Sequence, residues 1–202
     1  RSNRIAEICR LLNVANDPEI IHAYAEAYRR GLRTVFSFKT PANFYDLSLQ
    51  ERASLFGCRV SQLTKCLLYE NRLAPENARD TPYSRFYLLI YQYQRKFSEP
   101  KFHTFIKSLR NTDEKFATLT KSSYKWSFVE LETAEQLTGA SHNGMSPIGL
   151  QDRNIPVLVD SWIAEDFVYV GGLDPLVKVK VSLKELLGAF KSTVFEMTDA
   201  LQ

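Results

Sequence analysis

The sequence predicts an α+β fold built on a largely antiparallel sheet. Two observations predict it. Helix-start signals and β-rich runs are mixed along the chain without the strict alternation that a parallel sheet of βαβ units requires. Towards the C-terminal end, the runs at 157–159, 168–170 and 177–181 stand at hairpin-like spacing with turns between them.

Each element has a local reason. Residues 2–12 set Ile5, Ile8, Leu11 and Leu12 at helical spacing. Asp17-Pro18-Glu19 reads as an N-cap followed by proline at the first helical position, in a helix that ends near Arg30 at Gly31. Residues 34–38 have strand composition. Ser48-Leu49-Gln50-Glu51 is a capping box, closed by Gly57, and Ser61 caps a further short turn. The apolar run 66–69 has strand length, 71–84 is a polar loop with prolines, and 86–93 is a buried strand. Ser98-Glu99-Pro100 opens a helix through Arg110, and 111–125 is polar and ambiguous. A box at Thr133-Ala134-Glu135-Gln136 starts a helix ending at Gly139; another at Ser182-Leu183-Lys184-Glu185 starts the last helix.

Composition bounds the function. The chain has 202 residues, 45% apolar, enough for about 70% of the unfolded surface to be buried in one domain. A net charge of +3 is compatible with a polyanion partner and does not by itself establish one. No apolar run is long enough to span a membrane, and no signal peptide is visible. Three cysteines without a CxxC pair read as reduced thiols in a cytosol-like compartment. The start at Arg1 rather than methionine suggests a fragment or a processed form.

Several chemistries are excluded by residue type. His22, His103 and His142 form no HExxH and neighbour no cysteine pair, so no metal site is expected. Residues 138–150, TGASHNGMSPIGL, have P-loop spacing from Gly144 to Gly149, but Leu150-Gln151 stand where Lys and Ser/Thr are required. Ser146 fails as an acyl-transfer nucleophile because Pro147 has no N–H to give an oxyanion. Two readings of the loop stay open. It is a tight helix-to-strand connector, or a backbone that approaches a ligand and offers it N–H groups.

The loop, followed by IPVLVDSWI and FVYVGG, resembles the C-terminal half of the YbaK/prolyl-tRNA-synthetase-associated editing domains. The branch it is most similar to is that of the Cys-tRNA(Pro) deacylases, with their T-G-x-x-x-G-G-x-S-P-I-G loop. LFGCRVSQLTKCLLYEN resembles that family's short helix and strand with one functional lysine, here Lys65, and SRFYLLIYQYQRKFSEPKFHTFIKSL resembles the next strand and helix. YDLSLQERASLFG is similar to a eukaryotic branch. The resemblance covers roughly residues 34–190.

The resemblance implies a curved mixed sheet, partly closed like a barrel, with helices outside. It implies a trans-acting aminoacyl-tRNA deacylase of the cytoplasm, serving translation fidelity, without metal or cofactor. Lys65, Gly144 and Ser146 would be catalytic; Gly139, His142, Asn143, Pro147, Ile148, Gly149, Asp160 and Gly171 would bind substrate. The aminoacylated 3′ end of tRNA is the implied partner. Residues 1–31 would form a helical extension before an editing domain at 32–202, and would suit contact with a synthetase or a multi-synthetase complex. No membrane is involved. Asn143, Leu173 and Cys66 depart from the family pattern, which bears on the substrate and on activity. The alternative is a non-catalytic interaction module of a synthetase complex; a non-specific RNA-binding domain suits the modest charge less well.

Overall fold

Asp17 caps the first helix as its position predicts: its carboxylate accepts from the amides of Glu19 and Ile20, and Pro18 follows. The computed structural model describes residues 17–111 and 113–201; the helical pattern at 2–12 lies outside them. Along the chain run α1 (Pro18–Arg29), β1 (Val35–Lys39), α2 (Leu49–Phe56), β2 (Thr64–Asn71), β3 (Arg79–Asp80) and β4 (Tyr83–Ser84). Next come β5 (Phe86–Gln92), β6 (Arg95–Phe97), α3 (Glu99–Leu109), β7 (Trp126–Phe128) and α4 (Leu131–Thr138). The last elements are β8 (Val157–Asp160), β9 (Phe167–Gly172), β10 (Asp174–Ser182), α5 (Leu183–Ala189), β11 (Thr193–Phe195) and β12 (Thr198–Ala200).

The architecture is mixed α+β. One sheet has the order β11-β8-β5-β2-β7, in which β8 is parallel to both β5 and β11 while β2 is antiparallel to both of its neighbours. The second, β1-β10-β9, is antiparallel throughout. The sheets do not close into a barrel. Among the described residues one isolated bridge, Leu63 to Tyr169, joins them, supported by Thr64 Oγ1 donating to the Tyr169 carbonyl at 2.8 Å.

Both faces of the large sheet are buried, which is why β5 reads as a near-continuous apolar run. Period-two alternation sends Cys66, Leu68, Leu88, Ile90, Val157 and Val159 to one core, shared with α1 and the second sheet. It sends Tyr69, Tyr87, Leu89 and Tyr91 to the other, packed on Phe102 and Ile106 of α3. Helix α1 contributes Ile20, Ala23 and Ala27 to the first core.

Several local signals resolve differently from the sequence reading. Helix α4 starts at Leu131 from Glu130, so Thr133 lies inside it and caps nothing. Ser182 makes no side-chain cap either; Glu185 instead accepts from the amides of Arg33 and Thr34 and from Thr34 Oγ1, tying α5 to the start of β1. The loop at 71–84 contains the β3-β4 hairpin. Helix α5 is the last helix, as expected, and strands β11 and β12 follow it. The capping box at Ser48 and the left-handed Gly57 form as predicted.

Candidate functional site

Strand β2 carries Lys65 opposite Tyr91, and its Nζ stands 4.8 Å from the Tyr91 ring centroid and 5.8 Å from that of Tyr93. No hydrogen bond or ion pair engages this ammonium among the described residues, and burial holds its pKa below the usual lysine range. A half-buried cation facing tyrosine rings with no anion beside it is available to an incoming anion or carbonyl.

It lines a cavity of about 170 Å³ together with Cys66, Tyr93, His142, Asn143 and Lys178. The lining includes two lysines against one carboxylate, Glu135, whose Oε1 is engaged at 2.9 Å by the His142 amide. Cys66 is no nucleophile: burial pushes its thiol up to about 12, so no thiolate is present at neutral pH.

Lys178 has no place in the sequence reading. It is 6% exposed, and burial lowers its pKa to about 8. Its Nζ donates to Tyr45 Oη at 2.6 Å, to the Asn143 carbonyl at 3.0 Å and to the Pro175 carbonyl at 3.2 Å. Tyr45 Oη donates to the same Asn143 carbonyl at 2.7 Å. Two donors therefore clamp the one non-glycine residue of the loop that holds a left-handed backbone, Asn143 at φ 67°.

The glycines serve protein packing. A Cβ on Gly144 would stand 2.5 Å from the carbonyl carbon of Leu173. Gly144 donates its amide to the Ser141 carbonyl at 2.8 Å and accepts from the Leu173 amide at 2.9 Å. A Cβ on Gly171 would collide with the carbonyls of Gly144 and Met145, and one on Gly149 with the carbonyl of Thr138. These contacts press the loop against the β9-β10 turn and the end of α4. What the loop leaves over lies one step further on. Among the described residues no hydrogen bond engages the amides of Met145 or Ser146, and the buried Ser146 hydroxyl has no partner. Orphaned buried polar groups of this kind mark a place for a ligand or a water.

The residues singled out in sequence thus divide. Lys65, His142, Asn143 and Gly171 line the cavity. Gly144 and Ser146 flank Met145, which also lines it. Gly139 caps α4 in a left-handed turn, and Pro147, Ile148 and Gly149 form a buried 3₁₀ turn outside the lining. Asp160 is also outside it; its buried carboxylate accepts from the Met197 amide at 3.0 Å and from Thr198 Oγ1. No cluster of metal ligands occurs among the described residues.

No protein-family model and no curated protein matches the sequence. Solved structures do match. A candidate trans-editing enzyme for prolyl tRNA synthetase aligns with TM-score 0.70 at 17% identity, over 92% of this chain and 100% of its own. A scaffold protein carrying a computationally grafted epitope aligns with TM-score 0.69 at 18% identity, over 92% and 99%. A hypothetical protein aligns with TM-score 0.62 at 19% identity, over 88% and 99%. The chain has the fold of these proteins, and the trans-editing candidate among them agrees with the YbaK-like resemblance of the sequence.

Proposed function

We propose that the chain is a trans-acting editing hydrolase that cleaves the ester between a wrongly attached amino acid and the 3′ end of a tRNA. The observation that carries this reading is the pair of unengaged amides at Met145 and Ser146, with the orphaned Ser146 hydroxyl, beside a cavity whose unpaired cation is Lys65. The shared fold with a candidate trans-editing enzyme supports it.

An aminoacyl ester is already activated, so its hydrolysis asks for placement and for charge stabilisation more than for a protein nucleophile. The two amides would receive the carbonyl oxygen as it gains charge. Lys65 would hold the terminal phosphate or orient the adenosine. Water adds to the carbonyl carbon, the bond to the ribose oxygen breaks, and that oxygen takes the proton. Ser146 would donate a hydrogen bond and form no covalent intermediate.

The volume sets a limit. About 170 Å³ is below the ~300–1,000 Å³ of typical small-molecule sites, so the amino acid and its ester would fill the cavity while the nucleoside lies outside, over the exposed Leu131. The same small volume favours the second reading, a non-catalytic module of a synthetase complex. Incubation with a panel of mischarged tRNAs separates the two: the enzyme reading expects release of amino acid from at least one member well above buffer, and release from none leaves the module.

A further inference from the structure

A second, larger cavity lies at the other end of the same loop. It is an open groove of about 770 Å³ between the start of β8, the end of α5 and the β3-β4 hairpin. Four cations line it: Arg30, Arg79, Arg153 and Lys191. Arg79 is neutralised by Asp152 at 2.6 Å, and Asp80, the one carboxylate of the lining, faces Lys115 at 3.3 Å. The other three have no carboxylate partner in any ion pair among the described residues. Arg30 donates through Nε to the Ile148 carbonyl at 3.0 Å and through Nη2 to the Leu150 carbonyl. Its Nη1 is buried with no partner, and the nearby Arg153 guanidinium repels it. Glu26 offsets part of the charge on Arg30, yet the buried Nη1 still has no partner, and an anion between Arg30 and Arg153 would supply one.

We propose that this groove is a binding site for adjacent phosphoryl groups, held by Arg30, Arg153 and Lys191. Three cations outside any ion pair among the described residues match a pair of neighbouring phosphoryl groups better than a single carboxylate. Planar guanidiniums suit bidentate phosphate contact. Asn77, Thr81, Asn154 and Thr193 add polar lining. Because Arg30 grips residues 148 and 150, a bound phosphate bears on the loop that frames the Lys65 cavity. The inference does not rest on ester cleavage, since the groove shares no lining residue with that cavity.

The test is titration of the whole chain with sodium pyrophosphate and, separately, with a short blunt RNA duplex, at several salt concentrations. Arg153→Glu/Lys191→Glu alters two exposed side chains and is expected to melt as wild type does; the milder Arg153→Gln is the second arm. Wild type is expected to bind at least one probe. The double variant should bind it at least about tenfold more weakly with a salt slope smaller by about two. Binding of the duplex alone assigns the phosphoryl groups to a nucleic-acid backbone, and binding of pyrophosphate assigns them to a small phosphorylated ligand; either supports the site. Failure of wild type to bind either probe, or undiminished binding by both variants, overturns it.

Discussion

Lys178 lines the candidate cavity at a cost to the fold. Its pKa falls from 10.5 to about 8, which disfavours the buried charge at neutral pH by on the order of 3 kcal/mol. Between those two values the unfolded chain holds more protons than the folded one, so the fold gains stability as pH rises through that window. Lys178→Met removes the charge and keeps the stem. The variant is expected to melt no lower than wild type at pH 7, and to lose the wild-type rise in stability between pH 8 and 10.5. Ester cleavage should fall, because the Asn143 carbonyl keeps only Tyr45 as donor. Melting curves across pH, with deacylation rates beside them, check both halves. Gly171→Ala behaves differently: its Cβ meets two loop carbonyls, so it should destabilise by about 1–3 kcal/mol in denaturant melts.

At the level of elements, hydrogen-bond partners distant in sequence decided what local patterns did not. The Ser182 box looked complete, yet Glu185 finds better donors at Arg33 and Thr34. Those bonds keep its carboxyl below the usual range, so the stability it contributes is present above the unfolded pKa of 4.5 and lost as pH falls through the folded value. Glu185→Gln should therefore melt below wild type at pH 7, with the gap closing under acid. The helix caps at Asp17 and Ser48, and the buried strand β5, were legible because each is set by residues a few positions apart. Strands β6, β7, β11 and β12 were not, since three-residue strands owe their existence to partners elsewhere in the chain. The site divides in the same way. Lys65, which lines the cavity, was singled out through the family resemblance. Lys178 sits in an alternating run of valines and lysines that reads as one buried and one solvated face; only the turn at Asn143 and Tyr45, brought over from other segments, buries it.

Across the whole molecule, the two sheets meet at the start of β2: Leu63, just before it, bridges to β9, its first half lines the cavity, and its second half pairs with β7. Asp160 belongs to the far side of this frame, where it pins the last strands rather than the loop. Asp160→Ala leaves the buried donors of Met197 and Thr198 without their acceptor and should cost about 1–3 kcal/mol, without altering the substrate preference of what stays folded. A denaturant titration measures the loss. The central claim is that ester cleavage belongs to the Lys65 cavity. Its most direct test is a single-turnover deacylation of the preferred mischarged tRNA by wild type and Lys65→Ala, with thermal melting of both. The account predicts a rate at least a hundredfold lower for the variant, on the order of 3 kcal/mol of lost transition-state stabilisation, at a melting temperature within about a degree of wild type. A variant that cleaves as fast as wild type would contradict it.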